Sequence, residues 1–263
     1  MKFPVLMYHR VVTPHCPVPD EDLEESRYAV PSGVFERHLD ALVAGGQRGV
    51  SMRDVHERLD SGHEVPGHWV AITFDDGNLS DVEVVLPALT ARGFSATMYV
   101  CGARIGVHGG LEPVHVESLV RAGLHVGSHG MTHRFLSTLT AAEETDELTR
   151  SRDLLEEITG SVVDHFSPPG GRYSRRTLMT LGRLGYRAIA TSDFGFNACR
   201  GRRSVYRRIP VVAATTETVY GRIIGCRAGA LWPVYLRHAV LGRARRVLGE
   251  TMYSRVRRIG VRR

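Results

Sequence analysis

Short β-rich runs alternate with helical windows along most of this chain, and that alternation restricts its fold more than any other feature. Strand readings fall at Phe3–Tyr8, Trp69–Phe74, Ala96–Cys101, Leu124–Gly127, Val163–Phe166, Tyr186–Thr191 and Arg208–Val212. Helical windows lie between them at Val34–Ala44, Val82–Arg92, Val114–Ala122, Ala141–Thr159 and Arg175–Leu184. Thr140-Ala-Ala-Glu143 has the form of an N-cap with an acidic first turn. Gly93, Gly123, Gly160 and Gly185 follow helical windows closely, as C-terminal caps do. Strands separated by helices pair in parallel, so about seven of them predict an α/β fold, a distorted or incomplete (β/α)7 barrel. A chain of 263 residues suits one domain of that size. The stretch from Thr13 to Pro31, rich in proline and acids, reads as an irregular loop.

Chemistry in a parallel barrel gathers at the C-terminal strand ends, and the polar clusters fall there. Trp69–Phe74 runs straight into Asp75-Asp76-Gly77. Two adjacent carboxylates at a strand end repel, which raises one pKa unless a cation sits beside them. A metal on one would leave the other free to act as a base. Taken alone, the pair equally suits a helix N-cap with an Asp–Gly turn. The second cluster is Ser128-His129-Gly130-Met131-Thr132-His133. Histidines at i and i+4 converge on one ion from a helical turn or tight loop, and imidazole with carboxylate suits zinc. The two clusters together carry a signal that neither carries alone.

On these residues the chain resembles the polysaccharide deacetylase family, also called the NodB-homology family or carbohydrate esterase family four. Thr73-Phe-Asp-Asp-Gly77 matches its first motif, and His129-Gly-Met-Thr-His133 fits its H-x-x-x-H second motif. The resemblance covers roughly residues 3 to 212. It implies a zinc or similar divalent ion on Asp76, His129 and His133, with Asp75 as the catalytic base. The third motif, usually R-x-P-[YF], corresponds to Ser167-Pro168-Pro169-Gly170, followed by Gly171-Arg172-Tyr173. Ser167 stands where arginine is expected. Gly170, Gly171, Arg172 and Tyr173 are the oxyanion and substrate candidates, and Arg172 is the candidate to replace the missing arginine. Asp193, in an approximate fourth motif, is its expected partner. The fifth motif, L-x-H, is absent from the last strand. Leu236-Arg-His238 matches its letters only within the arginine-rich tail. His9, after Val5–Tyr8, takes its place as the expected general acid, as in a circularly permuted branch of the family. The other histidines (His15, His38, His56, His63, His68, His108, His115, His125, His165 and His238) show no ligand spacing and read as ordinary surface or helix residues.

The net charge of +6 divides unevenly. Residues 221–263 hold eleven arginines and one acid, whereas residues 1–220 are mildly acidic. The expected organisation is therefore a catalytic domain over 1–220 and a basic amphipathic helical tail over 221–263. With Trp232 and Tyr235 at one end, such a helix suits an anionic membrane or a glycan-assembly partner. Packing on the barrel with its arginines solvated is the alternative. Nucleic acid is disfavoured, because aromatics are sparse there and no recognition motif occurs. Cys16, Cys101, Cys199 and Cys226 form no CxxC pair and read as reduced thiols. The N-terminal run is too short and polar for a signal peptide, so the expected location is cytoplasmic, with peripheral contact at the inner membrane face.

The expectation is a zinc-dependent hydrolase that removes N-acetyl groups from an amino sugar in a glycan or lipid-linked saccharide. The alternatives are a deformylase or other small N-acyl amidase, and a non-catalytic glycan-binding protein with a degenerate site.

Overall fold

The computed structural model describes residues 1–13, 28–227 and 229. Near the N-terminus lie β1 (Lys2–Phe3), β2 (Val5–Tyr8), β3 (Arg10–Val12) and β4 (Ala29–Pro31), followed by α1 (Ser32–Ala44). Then come β5 (Arg48–Val50), α2 (Met52–Asp60) and β6 (Trp69–Asp76). A π-helical turn, Asp81–Val85, leads into α3 (Leu86–Thr90), then β7 (Thr97–Val100), α4 (Pro113–Arg121) and β8 (His125–Ser128). The long α5 (Ala141–Thr159) precedes β9 (His165–Phe166), α6 (Arg175–Arg183) and β10 (Ala188–Phe194). After them come β11 (Asn197–Ala198), β12 (Val205–Pro210) and α7 (Glu217–Ile224).

Seven strands close a parallel barrel in the order β2-β12-β10-β9-β8-β7-β6, with β6 returning to β2 through Val5–Ala71 to Tyr8–Phe74 pairs. The (β/α)7 barrel expected from the alternation is therefore present. β5 adds to the lower half of β6, pairing Arg48–Val50 with Trp69–Ala71. The N-terminal strand sits between β6 and the last barrel strand, which places the end of β2 beside the end of β6.

Period-two alternation explains how the barrel is filled. Leu6, Tyr8, Ile72, Phe74, Met98, Val100 and Val126 face the helices and join α1, α4 and α7 in one buried apolar layer. Their neighbours Thr73, Asp75, Thr97, Tyr99, His125, Tyr206 and Arg208 face the interior, and all are buried. This interior is unusually polar, so its hydrogen bonds must be made within the barrel.

Strand and helix ends follow local chemistry. Thr140 caps α5 in a reciprocal box with Glu143, and Gly160 closes that helix at φ 62°. Pro4 separates β1 from β2 within the run read as one strand. Strand β6 runs two residues beyond Phe74 and carries both aspartates within it. Six of the strands and helices named above have no counterpart in the sequence reading: β3, β4, β5, α2, β11 and α7, with β4 inside the stretch read as an irregular loop. Helix α7 crosses the expected domain boundary at 220/221, burying Tyr220, Ile223 and Ile224 in the barrel's outer layer. Most of the expected irregular loop and nearly all of the basic tail, with Trp232, Tyr235 and His238, lie outside the described residues. Among the described residues no helix is long and apolar enough to cross a membrane.

Candidate active site

Asp75 and Asp76 end β6 and point to different partners. Asp75 follows the strand alternation into the barrel and is 2% exposed. Asp76 has a φ of 84°, which turns its carboxylate toward the loop after β8. Three non-glycine residues among those described have positive φ: Asp76, His133 (61°) and Cys226 (48°). Left-handed backbone is disfavoured for such residues and needs support from surrounding structure. Two of the three belong to the expected ligand set.

The segment Ser128–His133 leaves β8 as an irregular loop rather than a helical turn. Its shape is held from several sides. Gly130 N–H donates to Ser128 Oγ at 3.1 Å, while Gly130 and Met131 accept from Gly102 and Ala103 N–H. The buried Glu147 of α5 accepts from Thr132 twice, from N–H at 2.6 Å and from Oγ1 at 2.7 Å. The result brings His129 Nε2 and His133 Nε2 to 3.4 and 3.2 Å from Asp76 Oδ1. One ligand atom from each of the three residues lies within 4.8 Å of the other two.

The donor set fits a divalent ion on its chemistry. His129 Nδ1 lies 2.8 Å from the Ser167 carbonyl, which can only accept, so Nδ1 carries the proton in the neutral ring. That leaves the Nε2 lone pair facing Asp76 Oδ1, which is itself buried without a hydrogen-bond partner. Lone pairs converging in a buried space repel, and a cation between them relieves the repulsion. Burial alone would lower the His129 pKa, but the carboxylates of Asp75 and Asp76 outweigh it and raise it. Burial opposes ionisation of Asp76 too, yet His129 and His133 hold its pKa well below the usual range.

Asp75 takes a different cation. Arg208, fully buried on β12, places Nη1 and Nη2 each 2.7 Å from Asp75 Oδ1 and Oδ2. Its other donors go to Thr191 O (3.0 Å), Thr73 Oγ1 (3.2 Å) and Ser167 Oγ (2.8 Å). All five N–H groups of the guanidinium are thus used. Burial would raise the Asp75 pKa, but the charge and hydrogen bonds of Arg208, with His129 and His9 beside it, together outweigh burial and hold the carboxyl below its usual value. The expectation that Arg172 replaces the missing arginine is corrected here. Arg172 lies over the Phe135 ring, 3.7 Å from its centroid, and Asp193 accepts instead from Tyr173 Oη at 2.6 Å. Ser167 is small enough to leave the space that Arg208 fills, and it also donates to Asp75 Oδ2 at 3.3 Å. The strand read from Arg208 begins at Val205, which puts Arg208 inside the barrel and not at a strand start. The signal was period two: Arg207 is exposed, whereas Tyr206 and Arg208 are buried.

His9 follows β2 and comes to the same rim. It lies near enough to Asp75, Asp76 and His129 for their charges to act on its ring, and it stacks on Tyr28 with centroids 4.4 Å apart. Burial lowers its pKa, partly offset by Asp76 and then Asp75. Its Nδ1 is buried and unpartnered. Asn78, just past the Asp-Asp-Gly turn, donates to the His9 carbonyl at 3.3 Å and so ties the two strand ends.

The turn after β9 completes the rim. Gly170 and Gly171 have φ values of 60° and 65°. A Cβ on Gly170 would meet the Phe135 ring at 2.6 Å, and one on Gly171 would collide with Ser192. The N–H groups of Gly171 and Arg172 are bonded to the Pro168 and Pro169 carbonyls. Gly170 and Tyr173 are therefore the backbone donors of this turn available for a ligand.

Of the remaining histidines read as ordinary surface or helix residues, His38 and His56 do lie on helices, with their side chains buried. The reading is corrected for His125 and His165, which are buried on strands and share a cluster with Asp164 away from this rim.

Comparison with known proteins agrees with this fold. The YxkH protein of Bacillus subtilis (strain 168) is 25% identical over 223 residues, which is 85% of this chain and 76% of that protein. A chitin deacetylase of Pestalotiopsis sp is 34% identical over 119 residues, but the match spans only 40% of that enzyme. Among solved structures, the Streptococcus pyogenes deacetylase PplD superposes with a TM-score of 0.73 at 22% identity, covering 82% of this chain and 95% of that one. The family pattern described as polysaccharide deacetylase matches residues 62–189, the span that contains both the Asp-Asp-Gly strand end and the His-x-x-x-His loop. On these matches the chain is similar to the polysaccharide deacetylase family.

Proposed function

We propose that this protein is a metal-dependent N-deacetylase acting on an N-acetylated amino sugar within a glycan or lipid-linked saccharide. One observation carries the reading. Asp76, His129 and His133 offer three converging ligand atoms, while the neighbouring Asp75 is held ionised by Arg208 and stays outside that set. Zinc or a similar divalent ion, when bound there, would polarise the amide carbonyl and acidify a bound water.

Each side chain of the rim then has a role. Asp75, ionised and fixed in orientation by the guanidinium, takes the proton from the attacking water. Gly170 and Tyr173 N–H groups lie in the turn that faces the developing oxyanion, and the absence of a side chain on Gly170 permits close approach. His9 donates a proton to the departing amine. Burial lowers the His9 pKa, while the carboxylates of Asp76 and Asp75 act in favour of the protonated ring that this role requires. Acetate and a free amino sugar are the products. Arg172 over Phe135 and the Tyr173–Asp193 pair form the outer edge, where a sugar ring would rest.

Two further observations support turnover rather than binding alone. The departure at Ser167, which suggests a degenerate site, is filled by Arg208. In addition, PplD, with the same fold, was determined in complex with acetate, the product expected here. The arginine-rich segment from 221 onward suits attachment to an anionic lipid surface or assembly partner.

The test is release of acetate from N-acetylated chitooligosaccharides by the zinc-loaded protein. Activity should vanish on chelation, return with zinc, and vanish in Asp75→Asn while metal content is unchanged. Formate release from N-formyl sugars in preference to acetate would redirect the reading to a deformylase. Stoichiometric metal without hydrolysis of any N-acyl sugar would reject both.

A further inference from the structure

The amino-terminal end of the barrel, opposite the rim described above, holds a second group of metal-competent side chains. His125 opens β8 and His165 opens β9, with side chains 3% and 1% exposed. Asp164 precedes His165 directly. A ligand atom from each of the three lies within 4.8 Å of the other two, and the residue types match those of Asp76, His129 and His133.

The hydrogen bonds leave the imidazoles poised as ligands. His165 Nδ1 is 2.7 Å from Asp164 Oδ1, and a carboxylate accepts, so the proton is on Nδ1 and Nε2 has a lone pair. A carboxylate behind a histidine is the usual way such a ligand is oriented. His125 Nδ1 is occupied by Thr97 Oγ1 at 3.1 Å. Both Nε2 atoms are buried and have no hydrogen-bond partner. Buried nitrogens left in this way are costly, and a bound ion is one of the standard reasons for them. The two rings meet edge to face with centroids 4.4 Å apart, and His56 approaches His165 from α2 with centroids 5.5 Å apart. Burial first, and then His165 beside it, hold the His125 pKa well below its usual value, so the ring is neutral and able to bind metal.

We propose that His125 and His165 offer their open Nε2 atoms to a second divalent cation of zinc class, structural in role, at the amino-terminal end of the barrel, with Asp164 orienting His165 from behind. The need for such a tie is visible in the sheet. β9 has only two residues and meets β8 at a single register pair, Ser128 with Phe166. An ion held between the starts of these strands would clamp the thinnest seam of the barrel. Arg187 Nη1 lies 3.4 Å from Asp164 Oδ2, and Arg53 acts electrostatically on both His125 and Asp164. These charges keep Asp164 ionised but also repel a cation, so this site binds more weakly than the rim site.

The experiment is a zinc titration against a competing chelating dye, with stoichiometry read by native mass spectrometry. It uses the full chain, Asp76→Asn/His133→Gln and His125→Gln/His165→Gln, with folding checked by circular dichroism. Two equivalents are expected in the parent, the second the weaker, and one in each double variant. Zinc should raise the melting temperature of Asp76→Asn/His133→Gln, and adding His165→Gln should remove both the ion and that shift. The proposal is overturned if Asp76→Asn/His133→Gln binds no zinc, or if its ion survives the loss of His125 and His165. Should the His125→Gln/His165→Gln protein fail to fold, the count in Asp76→Asn/His133→Gln decides alone. A parent that binds one ion, retained without Asp76 and His133, would uphold this site and reject the rim as a metal centre.

Discussion

Arg208 and Asp75 lie 133 residues apart in sequence and meet through two parallel hydrogen bonds of 2.7 Å inside the barrel. A bidentate pair of this kind fixes the carboxylate in orientation as well as in charge. It also answers the repulsion expected between adjacent aspartates: Asp75 faces the guanidinium, and Asp76 faces two imidazoles.

Arg208→Met should therefore lower kcat/KM by about 100-fold, the cost of a misplaced catalytic group. It should also destabilise the fold by about 3–5 kcal/mol, because a buried carboxylate loses its partner. Arg208 holds the Asp75 pKa down, so its removal lets that pKa rise. The base must be ionised to act, and the acid limb of the pH–activity profile should move to higher pH. Arg208→Lys keeps the charge but loses the fork, and its profile should fall between the two. An unshifted acid limb in Arg208→Met would show that the pair does not tune Asp75.

Glu147 holds the loop that carries His129 and His133 through both polar groups of Thr132. Glu147→Ala should weaken zinc binding by about 10–100-fold, as loss of such supporting contacts commonly does. Chelator competition measures this directly. Thr132→Val removes only the hydroxyl contact and should have a smaller effect.

Gly170→Ala tests the turn beneath the rim. Its Cβ would meet Phe135 at 2.6 Å from a backbone at φ 60°. Overpacking and left-handed strain together should cost about 2–4 kcal/mol, seen as a lower denaturation midpoint. Gly170→Ala/Phe135→Ala should recover the packing part but not the backbone part. Full recovery would mean that the φ requirement is unimportant.

Acid should destabilise the protein through His38 and His56. Burial, aided by nearby positive charge, lowers each pKa to about 4 from an ordinary 6.5. The unfolded chain binds protons at these positions first as pH falls. Their contribution is thus intact above about pH 6.5 and is lost progressively toward pH 4. The loss should be on the order of 2 kcal/mol for each histidine. Urea denaturation across that range measures it, and His38→Gln/His56→Gln should flatten the dependence. An unchanged slope in that variant would assign the acid sensitivity to other groups.

The local order of residues determined much of this protein. Apolar runs of strand length separated by amphipathic windows indicate a parallel sheet covered by helices, because each strand must bury both faces, and seven such strands suggest a barrel. Asp75-Asp76-Gly77 and the His-x-x-x-His segment were legible for the same reason: their chemistry is written in neighbouring positions, and spacing survives without a fold. What only the tertiary structure decided is which distant side chains meet across the barrel. Arg208 and Arg172 look equally polar in the chain, and strand register alone sends one to Asp75 and the other over Phe135. His125 and His165 show no ligand spacing because they come from separate strand starts, and only closure of the sheet brings them together. Pairing inside a barrel depends on register and closure, and neither is a property of any short stretch of sequence.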